Sequence, residues 1–235
     1  MTHRNRTNHR PKTPRPRRIR QRRRRRPSTR HQQPHQSHSL ELDDLDLGDG
    51  PNGGIDLSTL TELVEIDLDG NNFTTLDLTN NTKLLHVDLE DNDLTGLDVS
   101  NNTQLTYLDL DDNNLTSLDV SNNTQLTYLN LDDNNLTSLD VSNNTQLTYL
   151  DLDDNNLTGI DLSNNTLIEE VYIRRNNLTA LDISNNTEIA NISATQNEIS
   201  SLDLTQNTKL EDGNFSYNLI TEFTVAENTG DYAAE

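Results

Sequence analysis

The chain has no cysteine and no tryptophan, and only one methionine, in 235 residues. Without thiols it can form neither a disulfide framework nor a thiolate metal site. No apolar run comes near the roughly 20 residues that a membrane-spanning helix needs. The apolar share, 30%, is low for a globular core, and aromatics make up 4%. Catalytic signatures are lacking too. There is no Ser–His pair in a recognisable context and no phosphate-cradling glycine loop, and His86 is the one histidine beyond residue 38. Carboxylates recur everywhere, so none stands out as a tuned acid. These absences exclude the commoner enzyme classes and point to a non-enzymatic protein with no resident cofactor.

Bases are missing from most of the chain. Residues 1–38 hold thirteen Arg and one Lys with no acid, whereas 39–235 hold all 39 acids and only Lys83, Arg174, Arg175 and Lys209. The net charge of −21 is therefore a sum of +14 and −35. Only Met1 and Ile19 are apolar in residues 1–38, so that segment cannot build a core and is expected to be a disordered tail. It lacks the apolar middle of a secretory signal. Its Arg block, 22–26, suits phosphates or a nuclear address, but no aromatics are interleaved to stack bases. Nucleic acid is thus expected only through this tail. A further reading is that 1–38 is not natural coding sequence, because aspartate codons read out of frame can give arginine.

What the chain has in abundance is one phrase. It reads LTYLDLDDNNLTSLDVSNNTQ from Leu105, LTYLNLDDNNLTSLDVSNNTQ from Leu126 and LTYLDLDDNNLTGIDLSNNTL from Leu147. The 21-residue period extends in both directions to give eight units over 63–230 without an insertion. Residues 39–62, with alternating leucines and a Gly-rich turn, read as a degenerate first coil or cap, 231–235 as the C-terminal end, and 221–235 as too short for a full cap, so that it is a thin lid or the original protein continued. The glycine turn resembles a calcium loop but lacks its ligand spacing and closing Glu.

Positions 1, 4, 6, 11, 14 and 16 of the unit are apolar: Leu105, Leu108, Leu110, Leu115, Leu118 and Val120 in the unit that starts at Leu105. No 3.6-residue spacing runs through them, and the Leu-Asp-Leu triplets alternate as strands do. One unit cannot bury these side chains alone, but stacked units can. Position 9 is always Asn: Asn71, Asn92, Asn113, Asn134, Asn155, Asn176, Asn197 and Asn218. Position 19 is Asn as well, from Asn81 to Asn228. A corner leaves backbone groups turned inward, and an amide can both donate to and accept from them. The Asn columns are therefore expected to be structural ladders.

The pattern LxxLxLxxNxL resembles a leucine-rich repeat. The 21-residue length and the LDVSNNT half resemble internalin-type repeats of bacteria, nearest the internalin J branch, although that branch usually has Cys at position 6, where this chain has Leu68, Leu89, Leu110, Leu131 and Leu152. The resemblance implies a right-handed, horseshoe-type solenoid, mainly β, with one parallel sheet, an extended or turn-rich convex side and little helix. It also implies a secreted or surface-attached protein of bacterial or archaeal origin that binds a protein or glycan, though no sorting motif or anchor is seen in this chain.

In that frame positions 3 and 5 face outward on the sheet. Tyr107, Tyr128 and Tyr149, with Asp109, Asn130, Asp151 and Tyr172, form the candidate ligand-binding stripe, since tyrosine combines apolar area with a polar tip. Asp111-Asp112, Asp132-Asp133 and Asp153-Asp154 stack at the rim as candidate ligands for loosely held calcium or other cations. A second acidic column, Asp77 to Asp203, lies on the back. Such columns repel, so the alternative is an acidic structural solenoid that depends on salt and has no discrete ligand.

Overall fold

The computed structural model describes residues 38–45, 47–48 and 54–225. The expectations for the Arg-rich tail and for 231–235 fall on residues outside these. Short parallel strands carry the fold: β1 Ser39–Glu41, β2 Glu65–Asp67, β3 His86–Asp88, β4 Tyr107–Asp109, β5 Tyr128–Asn130, β6 Tyr149–Asp151, β7 Glu170–Tyr172, β8 Asn191–Ser193, β9 Ser201–Leu204, β10 Asp212–Asn214 and β11 Glu222–Val225. Nine of them form one sheet in the order β1-β2-β3-β4-β5-β6-β7-β8-β10. No helix occurs among the described residues.

Equal repeat length makes equivalent residues pair. Tyr107 is in register with Tyr128, Leu108 with Leu129, and Asp109 with Asn130, and the same 21-residue offset runs from β2 to β10. The first coil departs from it. Ser39 pairs with Glu65, an offset of 26, so 39–62 holds a longer coil that still adds a strand to the sheet.

Apolar side chains at positions 1, 4, 6, 11 and 16 form a continuous buried column, as at Leu105, Leu108, Leu110, Leu115 and Val120. Position 14 differs from the expectation. Leu76, Leu97, Leu118, Leu139 and Ile160 are only partly buried against that column. Pairing on the back side is sparse: β9 with β11, and a single bridge between Asp77 and Asp98. Elsewhere this side turns without strands. Each position-15 Asp accepts the backbone N–H two residues on, as Asp119 does from Ser121 at 2.9 Å, and the local bond replaces a ladder bond.

The position-9 asparagines close the corner after each sheet strand. Asn134 donates Nδ2 to the carbonyls of Leu110, one coil earlier, and of Leu131 and Asp132 in its own coil, and its Oδ1 accepts the N–H of Leu115. The pattern recurs at Asn92, Asn113, Asn155, Asn176 and Asn197. The position-19 asparagines tie the second corner. Asn123 donates to Val99 at 3.0 Å and to Asn102 at 2.9 Å in the preceding coil.

Candidate functional site

The residues at position 3 stand side by side on the sheet and become one aromatic ladder. His86, Tyr107, Tyr128 and Tyr149 stack with ring centroids 3.9, 4.2 and 4.4 Å apart and planes within 10°. The parallel register sets this spacing, because neighbouring strands lie about 4.8 Å apart. Tyr172 is at position 5, not 3, yet its ring reaches the end of the row, 5.7 Å from Tyr149 and tilted by 47°. The register exchange with Glu170 explains the tilt.

The position-5 side chains do not share the tyrosines' exposure. Asp109, Asn130 and Asp151 are 4%, 8% and 9% exposed, whereas the tyrosines are half-buried. Residues two apart point to the same face of a strand, and the larger phenol leans over the smaller group. Tyr107 donates its hydroxyl to Asp109 Oδ2 at 3.0 Å and Tyr128 to the same oxygen at 3.4 Å, while Tyr149 donates to Asp151 Oδ2 at 3.2 Å and Tyr172 to Glu170 at 3.0 Å.

Burial raises the pKa of these carboxyls. Asp88 is pushed up to about 8 by desolvation and then by the charge of Asp109. Asp151 rises to about 7 through desolvation and then Asp153. Asp109 is also raised by burial, although the bonds it accepts oppose this. The phenols are held protonated by desolvation and by these carboxylates, with Tyr172 at about 12. Burial lowers the pKa of His86 and keeps it neutral.

The rim carboxylates divide. One carboxylate oxygen from each of Asp132, Asp151 and Asp153 lies within 4.8 Å of the others, as do oxygens of Asp88, Glu90 and Asp109. Asp153, wholly buried, is paired with Arg174, and Asp154 with Arg175. Asp132, raised to about 6 by burial and then by Asp153 and Asp154, has no Arg in the next coil. Asp112, Asp133 and Asp154 sit at position 8 with φ between 47° and 53°. Asp91, Arg175, Gln196 and Tyr217 share this left-handed conformation, and Gly70 takes it at 67°. Aspartate tolerates that region better than most residues, so backbone geometry accounts for this column apart from any cation. Gly70 was the signal in the sequence. The structure thus gathers Asp132 and Asp153 with Asp151 and places Asp112 and Asp133 at strained corners. Asp88 and Glu90 join the ladder's edge, where the repeat frame alone does not single them out.

A family profile described as Leucine Rich Repeat matches residues 104–124 and 146–174. No curated protein matches the chain significantly. Among solved structures, the functional domain of InlJ from Listeria monocytogenes, described as including a cysteine ladder, is 29% identical with a TM-score of 0.60, over 80% of this chain and 53% of that one. The chain thus spans about half the length of that domain. Internalin C2 of Listeria monocytogenes is 20% identical with a TM-score of 0.68, over 75% of this chain and 79% of that one. The ectodomain of the receptor kinase GASSHO1/SCHENGEN3 from Arabidopsis thaliana, solved in complex with Casparian strip integrity factor 2, is 21% identical with a TM-score of 0.61, over 77% of this chain and 26% of that one. Period, corner asparagines, profile and neighbours agree that this chain folds as a solenoid of leucine-rich repeats, similar to the domain of InlJ.

Proposed function

We propose that the chain is a non-enzymatic recognition module that binds a protein on the sheet face around Tyr107, Tyr128 and Tyr149, with Asp109, Asn130, Asp151 and Tyr172 as their support. The observation that carries this reading is the ladder, five rings in one row on the sheet, with the tyrosines only half-buried among the described residues. Aromatic rows with polar tips are characteristic of interface centres. A glycan would stack on ring faces, and from Tyr107 to Tyr149 those faces cover one another, so the geometry favours a protein. The Arabidopsis ectodomain, of the same fold, binds another molecule in its solved complex, which supports the class of function. Likeness to the Listeria internalins supports a secreted or cell-surface setting. We take 39–62 as the cap of the eight repeats. The test is capture of protein from the surface of cells by the chain and by its Tyr107→Ser, Tyr128→Ser, Tyr149→Ser triple variant, with circular dichroism as a folding control. Loss of capture with an unchanged spectrum is expected, and undiminished capture refutes the reading.

A second reading, an acidic solenoid stabilised by salt or loosely held cations, draws on the back column. Side-chain and backbone bonds from Ser or Thr hold Asp98, Asp119, Asp140 and Asp161 below the usual carboxylate range, so this column stays ionised.

A further inference from the structure

Donors and acceptors are unequally supplied on the ladder face. The four tyrosine protons are spent on carboxylates. Thr106, Thr127 and Thr148 donate their hydroxyls to backbone carbonyls one coil back, at 3.0, 3.0 and 3.1 Å. Asn130 is hydrogen-bonded to Asp109, and Arg174 and Arg175 are paired with Asp153 and Asp154. A phenol that has donated its proton still accepts through its lone pairs. What the face offers outward is therefore almost entirely acceptor: phenol oxygens, the carboxylates of Asp88 and Asp132, and the exposed Asp91 and Asp133. Neutral His86 adds a ring N–H at one end.

The chain itself shows what such a surface takes. Where a coil carries Arg at position 7, as Arg174 does, the guanidinium lies on the Asp of the coil before it. At Asp132 the next coil supplies Asp153 in place of a base, and that acid helps to raise its pKa. We propose that this face recognises a basic protein segment, one partner arginine or lysine seated at Asp132 and a second at Asp88, with the covered Asp151 and Asp109 behind them. The inference rests on the ladder as the recognition surface and names the chemistry of its partner. Charge complementarity is strong, since residues 39–235 carry −35. Spacing adds a constraint. Asp109 and Asp151 are two coils apart in register, about 9.6 Å at sheet spacing. Three residues of polyproline II rise about 9.3 Å, so an extended segment with a cation at every third residue reaches both seats. Docked cations favour the ionised carboxyls, so binding releases protons and tightens as pH rises from about 6 to 8. The other charged groups that face these seats are Glu65, Asp67, His86, Glu90, Asp133, Asp153, Asp154, Glu170, Arg174 and Arg175.

The full chain is titrated with a peptide of four Arg-Pro-Pro repeats, read by tyrosine fluorescence, since the chain has no tryptophan. Two control peptides replace Arg with citrulline or cluster the same four Arg at one end. Expected are binding at least about tenfold tighter than the citrulline peptide, weaker binding of the clustered peptide, and a roughly tenfold loss on Asp88→Asn with Asp132→Asn. At pH 9, where Asp88 and Asp132 are ionised, the back-column pair Asp119→Asn with Asp140→Asn makes nearly the same change in charge and is expected to shift affinity less than about twofold. Equal losses from both pairs reduce the effect to diffuse attraction and overturn the proposal, as does a citrulline peptide that binds equally well. If the Arg peptide fails while the tyrosine triple variant still abolishes capture, the partner chemistry is wrong and the recognition face stands. If both fail, the face itself is wrong.

Discussion

The side-chain oxygen of Asn134 accepts the backbone N–H of Leu115 at 2.9 Å, across the boundary between two coils. The same amide donates to Leu110 of the earlier coil at 2.8 Å. Both groups are buried, so water cannot replace the asparagine. Asn134→Ala is expected to cost roughly 1–3 kcal/mol, because the buried N–H of Leu115 loses its partner, while the carbonyls of Leu110, Leu131 and Asp132 each keep another donor. Asn143→Ala removes one exposed bond to Ser121 and is expected to cost less than about 0.5 kcal/mol. Urea denaturation of the two variants checks the contrast.

Arg174 is the counter-charge of a carboxylate that solvent does not reach, Asp153. Arg174→Ala is expected to destabilise by about 3 kcal/mol, since it strands a buried charge, and Asp153→Asn in the same chain should recover much of that. Lys83→Ala, which breaks the exposed pair with Glu62, is expected to change stability by less than about 1 kcal/mol. Thermal melts of the two single variants and the double variant separate these outcomes.

Stability should pass through a maximum on the acid side of neutrality. Asp88, Asp132 and Asp151 have folded-state pKa values raised to about 8, 6 and 7, so between the ordinary carboxylate value and these pH values the folded chain holds protons that the unfolded chain has lost. Stability therefore falls as pH rises from about 4 to 8, by at most about 1.4 kcal/mol per pH unit for each group, and is flat above that. The back column acts in the opposite sense. Its lowered values give stability that is present above the unfolded pKa and lost as pH falls through the folded one. Denaturant midpoints from pH 3 to 9 should show both limbs, and Asp88→Asn with Asp151→Asn should flatten the alkaline one.

Salt should raise the melting temperature. Column after column of aspartate at coil spacing repels, and an ionic strength near 1 M shortens the screening length to about 3 Å. The rise is expected to be graded with sodium or potassium chloride. A saturable step at low calcium would instead assign a discrete site to the Asp132, Asp151 and Asp153 cluster.

The ladder residues were legible because they repeat. Tyr107, Tyr128 and Tyr149 share one position of a unit with constant length, and parallel stacking brings such positions together whatever else happens. Tyr172 entered from a different position, and nothing in its spacing foretold that its ring would tilt into the row. The exposure of Asp109 and Asp151 was misjudged from alternation alone, which gives the side of the strand but not what lies above it. The positive φ of Asp112 and Asp133 was not legible in the spacing of the aspartates.

The sequence by itself determined the period, the parallel register, the buried leucine column and the lack of helix among the described residues, since a 21-residue unit with apolar groups at fixed places has one economical way to bury them. Only the tertiary structure decided which acids are covered by phenols, which are paired with arginine and which corners are left-handed. Those depend on the size and direction of neighbours one coil away, and a linear pattern holds the identity of such neighbours but not their contact.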